Sequence, residues 1–361
     1  MSTSPFMTPS ESRMRRARAA ERRRRRQRIG LALLCVAVVA IAVVLVTRSS
    51  SKKHPHHGSG STHTLATLTT PAPRLSADGF ALAKPALTLS GLGKPAEDPI
   101  QLTFAHPPRE GLLFNLKTGQ VLWQHDPDLR VRIASLTKMM TALLTVKSAP
   151  PDAPVLVTKA AVDSAGSKVG VLPLHKHIKL ETMLYGLLLP SGNDAAVALA
   201  QHVAGSVTAF VKRMNAEAAR LGMGCTRYSS PSGYFNAGNF SCAADLAVLA
   251  HVDMEQERIA HIVRTYSAEL PFPIKGGRLY LYNNNPLLIY KYPGTTGLKT
   301  GFTEEAGRCL VATAERHGVK LGVVVLNSDA PGTQAKQLLD RGFEDVYHLP
   351  RVSEPPIPAG A

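Results

Sequence analysis

Aromatic residues are scarce in this chain, at 6% of 361 residues, and Trp123 is the single tryptophan. The apolar fraction of 44% is nonetheless ordinary for a globular protein with a real core, and Trp123 is expected to pack a hairpin rather than hold a sugar. Cysteine is scarce too. Cys35, Cys225, Cys242 and Cys309 show no zinc-ligand spacing, so no metal site is expected. Acidic residues number 26 against 42 Lys and Arg, a net charge of +16. Residues 1–30 hold ten Arg and two Glu, which leaves +8 in that short tail, half of the excess. The imbalance is therefore local, and nucleic acid is not the expected partner. Internal repeats are absent.

What is present begins with one long uncharged run. Ile29–Thr47 spans 19 residues without a charge, close to the ~20 that a membrane-crossing helix needs. Ten Arg on its N-terminal flank place that end in the cytoplasm and the rest of the chain outside. The run is too long for a signal-peptide core and has no small-x-small exit, and Leu34 precedes Cys35 where a lipoprotein signal wants a small residue. The reading is an uncleaved anchor whose Arg tail meets anionic lipid. Outside the membrane disulfides persist, and Cys225 and Cys242, 17 residues apart in a loop-rich stretch, form the expected pair. Cys309, in "RCLVATA", reads as a buried thiol.

The composition divides the chain into an Arg-rich tail (1–28), the anchor (29–47), a Ser/Thr/Pro/Gly-rich flexible linker (48–98), one folded domain (99–348) and a Pro-rich tail (349–361). His54, His56 and His57 fall in the linker and read as solvated. His175 and His177 read as a surface turn or strand pair. In the domain, Gly111–Leu116 and Val121–His125 flank a Gly-containing turn and signal a hairpin. Leu136, Met139, Met140, Leu143 and Leu144 recur at helical spacing and predict a helix with one buried face. Further helices are expected in "LETMLYGLLL", "NDAAVALAQHVAG", "TAFVKRMNAEAARLG" and "AADLAVLAHVDM". Strands follow in "RLYLYNN", "TGLKTGF", "GRCLVATAER" and "VKLGVVVLN", then a helix in "TQAKQLLDRGFEDV". Strands at both ends and helices between them predict an α+β fold, a helical lobe inserted against an antiparallel sheet.

Three motifs carry chemistry. Ser135 and Lys138 lie at i and i+3, so they share a helix face near its N-terminus. A serine is a weak nucleophile without a base, and a lysine becomes that base when burial or another cation lowers its pKa. Ser191-Gly192-Asn193 breaks an apolar helix and points into a cleft or caps the next helix. Lys299-Thr300-Gly301 lies on an expected strand. There the Lys is a cation near the hydroxyls, the Thr can bond a substrate carboxylate, and the Gly admits close approach. The N–H groups of Ser135 and Phe302 could form an oxyanion hole. The tetrapeptide LKTG also occurs around Lys117, but ahead of Ser135 and at the hairpin turn.

The order S-x-x-K, S-x-N, K-T-G at 135, 191 and 299 resembles that of the penicillin-recognising serine enzymes. The chain is most similar to the low-molecular-weight D-alanyl-D-alanine carboxypeptidases over about 110–345, including "YSSPSG", "NNNPLL" and "PGTTGLKTGFTEEAGRCLVATAER". The resemblance implies attack by Ser135 on the bond between two D-Ala residues of a peptidoglycan stem peptide, with Lys138 as base and an acyl-enzyme on Ser135. It further implies that Ser191 relays a proton, Asn193 holds the substrate amide, and Lys299 and Thr300 steer the terminal carboxylate. No cofactor is expected, and β-lactams should acylate Ser135. A D,D-endopeptidase would use the same residues. A β-lactamase of the same fold is disfavoured, because no carboxylate occurs between Glu217 and Asp245, where the deacylating Glu of that relative would fall.

Overall fold

The computed structural model describes residues 75–352 except 78, 235–237 and 275. The expected anchor at 29–47, the Arg-rich tail, the first half of the linker and the end of the Pro-rich tail lie outside these residues. Among the described residues no single helix is long and apolar enough to cross a membrane.

After a 3-10 turn at Pro95–Glu97 comes the hairpin Glu110–Asn115 (β1) and Val121–His125 (β2), turning at Gly119 with φ 75°. Asn115 Oδ1 accepts from the Lys117 and Thr118 N–H groups, so the first LKTG copy is a turn. A 3-10 turn at Ala134–Leu136 leads into Thr137–Ser148 (α1). There follow Pro154–Leu156 (β3), Lys159–Val162 (α2), His177–Lys179 (β4), Leu180–Leu188 (α3), Asn193–Ala204 (α4), Val207–Arg220 (α5), Ala243–Met254 (α6) and Glu257–Val263 (α7). Ser267–Pro271 (β5) pairs with Arg278–Tyr282 (β6) as a separate hairpin. Pro286–Ile289 (α8), Thr295–Thr303 (β7), Gly307–Arg316 (β8), Val319–Ser328 (β9) and Pro331–Arg341 (α9) complete the domain.

The main sheet runs β2-β1-β9-β8-β7 with every neighbour antiparallel. Strands from the two ends of the domain thus meet at β1 and β9. Alternation along β9 sends Val324 and Leu326 toward the helical lobe and Leu321, Val323 and Val325 toward α9. Both faces are apolar because both are covered. This explains why these strands read as near-continuous hydrophobic runs. β7 is left as an edge beside the 3-10 turn.

Three expectations need correction. The linker does not extend to 98. Ala83 and Ala86 donate to the carbonyls of Ala219 and Leu221, Ser90 pairs in parallel with Gln120, and Asp98 holds Gln124 through both its backbone N–H and its side-chain amide. Backbone bonds and the Asp98 carboxylate hold that segment, with Leu87 buried in the main core and Leu89 and Leu92 packed against it. Second, α1 is buried nearly all round, from Thr137 through Leu143, because it packs against α3, α4, α5, α6 and α7. Third, β5 and α7 add elements that the sequence reading left out. Trp123 packs edge-on against Phe104 and donates from Nε1 to the Leu102 carbonyl.

Glu110, fully buried at the start of β1, accepts from the Ala243 N–H at the head of α6, and its Oε1 has no partner. Burial pushes its carboxyl up to about 8; Asp126 and Asp128 add to the rise, and the Ala243 N–H and Arg109 oppose it. The folded state therefore binds this proton more tightly than the unfolded chain. That stabilisation is complete below the unfolded value of 4.5 and is lost as pH rises through about 8. Glu110→Gln should gain on the wild type in melting temperature as pH rises from about 5 to 8. Thermal melts of both across that range check it, and parallel curves would refute it.

Candidate active site

The site lies where the 3-10 turn, the loop before α4 and the edge strand β7 converge. Ala134 takes a left-handed φ of 46°, unusual for a residue with a Cβ, and turns the chain so that Ser135 comes out half-buried. Opposite stands Gly233, whose φ is 76°. A Cβ there would run into the Ala134 carbonyl and come 2.5 Å from Thr137 Oγ1. The "YSSPSG" loop therefore buttresses the turn, and only glycine fits. From β7, a Cβ on Gly301 would meet the Ile133 carbonyl at 3.0 Å and the Ser135 nitrogen at 3.1 Å. The strand approaches the nucleophile's own backbone because Gly301 has no side chain.

Lys138, one turn into α1, is fully buried. Its Nζ donates to Asn193 Oδ1 at 2.7 Å and to the Ser232 carbonyl at 3.0 Å, and lies 2.8 Å from Ser135 Oγ. Two carbonyl acceptors fix two N–H bonds. The remaining direction faces the serine hydroxyl, and in the neutral amine that direction is the lone pair. Burial drives the Lys138 pKa well down, the Lys299 charge lowers it further, and Asp194 opposes both. The result is a base aimed at a hydroxyl.

Ser191 also has a left-handed φ, 67°. Its Oγ is buried without a hydrogen-bond partner, an arrangement that usually costs ~1–3 kcal/mol and suits a hydroxyl reserved for something that binds. Asn193 begins α4, and both ends of its carboxamide are engaged: Oδ1 by Lys138 and Nδ2 by the Ala165 carbonyl at 2.6 Å. This side chain therefore orients the base, and it also lines the second cavity at Ser135, the place from which the expected contact with a substrate amide would be made. Asp194 accepts from the N–H groups of Val169, Gly170 and Ala195, which locks the 165–170 loop onto the head of α4.

Lys299 is buried, donates to the Thr300 carbonyl at 2.9 Å, and burial lowers its pKa to about 7. Two cavities meet at Ser135. One, of about 400 Å³, is lined by Ser135, Ser191, Asn284, Thr300, Gly301 and Arg308, among others. The other, of about 700 Å³, includes Arg132, Tyr234, Phe302 and Glu304. The Lys299 side chain lies behind the lining of these two cavities. Arg308, paired across the strands with Phe302 and donating to the Asp329 carbonyl, is the cation among the described residues lining the first cavity. The sequence reading missed Arg308, because it sits inside an apolar strand pattern. It also missed the Ser232 carbonyl, because a backbone acceptor has no residue signature.

Cys225 and Cys242 form a disulfide, which closes the loop carrying Ser232 and Gly233. Cys309 is a free buried thiol, and burial pushes its pKa up to about 12.

Residues 103–330 match the model of the D-alanyl-D-alanine carboxypeptidase family, Peptidase_S11. The D-alanyl-D-alanine carboxypeptidase DacF of Bacillus subtilis is 33% identical over 68% of this chain and 64% of its own length. A D-alanyl-D-alanine endopeptidase of Pseudomonas aeruginosa is 36% identical over 60% of this chain and 70% of its own length. The Streptomyces K15 DD-transpeptidase structure superposes with a TM-score of 0.63 at 32% identity, covering 68% of this chain and 99% of that one. With a sheet and helical lobe of this kind, a serine and a buried lysine in contact, and a family match over most of the domain, the chain belongs to the D-alanyl-D-alanine carboxypeptidase family of serine peptidases.

Proposed function

We propose that the protein removes the terminal D-Ala from peptidoglycan stem peptides through an acyl-enzyme on Ser135. The observation that carries this is Lys138 Nζ, held by two carbonyls with its remaining direction 2.8 Å from Ser135 Oγ. Lys138 takes the Ser135 proton as Oγ attacks the carbonyl between the two D-Ala residues. The Ser135 and Phe302 N–H groups receive the oxyanion. The Ser191 hydroxyl passes a proton to the leaving amine, the C–N bond breaks, and D-Ala departs. Water then attacks the acyl-enzyme and releases the shortened peptide.

Thr300 and Arg308 meet the leaving residue's carboxylate, while Lys299 acts through its charge on Lys138. A cation in that cavity favours a chain end over an internal cross-link, so carboxypeptidase is preferred to endopeptidase. β-Lactams acylate Ser135 and are released slowly. The chain acts outside the cytoplasm, held by residues 29–47 as a membrane anchor. Their 19 uncharged residues and the preceding Arg cluster support this placement.

Incubation with a pentapeptide stem should release D-Ala, and Ser135→Ala should abolish both release and labelling by fluorescent penicillin. Lys138→Ala should slow acylation by about 10²–10⁴-fold, whereas Lys117→Ala should leave it unchanged. Penicillin labelling without D-Ala release would point to the endopeptidase. Arg308→Gln should raise KM for the free acid by about tenfold or more and erase the preference for that acid over its C-terminal amide. A preference kept in the variant would clear Arg308 of this role.

Lys138 must be neutral to act, so the acylation rate should climb with pH as it deprotonates. Removing a neighbouring positive charge restores proton affinity. Lys299→Met should therefore move the ascending limb to higher pH by about one unit. A stopped-flow β-lactam profile for both proteins measures the shift, and a limb that stays put would rule out the charge coupling.

A further inference from the structure

Outside the cleft, the hairpin β5–β6 carries an unusual face. Its inward residues Leu279 and Leu281 are buried in the main core, while Tyr280 and Tyr282 are both 60% exposed on the outward face. Tyr266, 51% exposed, stands at the same end, where its carbonyl accepts from the Asn283 N–H. In a chain so poor in aromatics, two exposed tyrosines on one strand face form a patch of the kind that marks a binding surface. Tyrosine suits that use, with an apolar ring face and a polar tip at small entropic cost.

The strand that carries these rings runs on to the cleft. Two residues beyond Tyr282, Asn284 lines the cavity beside Ser135, and its N–H donates to the Leu189 carbonyl in the loop before Ser191. Tyr280 lies two strand positions further out, about 7 Å along the same face. A row of rings thus leads away from the rim. The face offers little to anionic lipid, since Arg278 at its far end is paired with Glu269 at 3.3 Å.

We infer that Tyr280 and Tyr282 form a platform for the glycan strand from which the stem peptide hangs, their rings stacking on sugar faces and their hydroxyls bonding sugar hydroxyl or acetamido groups. This rests on the reading of a peptidoglycan stem as substrate, and extends it from the peptide to the polymer.

The test uses the full-length chain and the double variant Tyr280→Ala/Tyr282→Ala. Activity is measured on free pentapeptide and on insoluble peptidoglycan carrying the same pentapeptide, and binding is measured by co-sedimentation with peptidoglycan stripped of its stems. The variant should lose about fivefold or more in kcat/KM on the polymer and in binding to the stripped glycan, and stay within about twofold on the free peptide. The double Tyr→Phe variant, which keeps the rings, should retain most of the binding. Equal losses on both substrates would make the hairpin a support for the cleft. No loss on the polymer would remove the platform, and a change in sedimentation state instead would make the face a contact between copies. Should the wild type release no D-Ala from free peptide, the carboxypeptidase reading fails, while binding to stripped glycan still decides the platform.

Discussion

The site depends on the burial of one lysine. Lys138 lies in a helix packed on nearly every side, where an ammonium ion loses its water and gains only a partial replacement. Two carbonyls satisfy its N–H bonds without adding a counter-charge at contact distance. That balance keeps the amine located and its proton loosely held. A carboxylate in place of either carbonyl would pair with the ammonium and hold the proton on it. Helix packing, the turn at Ala134 and the loop before α4 all serve the same end, which is to present a dry, oriented amine to the Ser135 hydroxyl.

The sheet contributes differently. Because β7 is an edge, one side of it stays free of strand partners, and Gly301 lets that side come close to the nucleophile's backbone. The other four strands make the position rigid by burying both faces, one under the helices and one under α9. Catalytic groups thus come from a helix, a loop and a strand that belong to distant parts of the chain but share one packed frame.

Much of this was legible beforehand. The order of the three motifs, the helix around Ser135 and the strand around Lys299 could be read because side-chain identity and hydrophobic period carry them. The helix "AADLAVLAHVDM" matches Ala243–Met254 residue for residue. What stayed hidden has physical reasons in common. The segment 79–98 is held largely by backbone bonds and a few leucines among Pro, Gly and Ser, the Ser232 acceptor is a carbonyl, and Arg308 hides in a strand whose inward residues dominate its pattern. The hold of the Asn193 carboxamide on Lys138 is equally silent, because a loop residue gives no sign in sequence of the partners its amide has. Backbone acceptors and prior engagement of a polar side chain leave no trace in composition.

The disulfide between Cys225 and Cys242 closes a ring of the chain, and Ser232 sits within that ring. Whatever limits the wandering of this loop also limits the wandering of the carbonyl that holds Lys138. A covalent tie thereby narrows the positions open to the base before any substrate arrives.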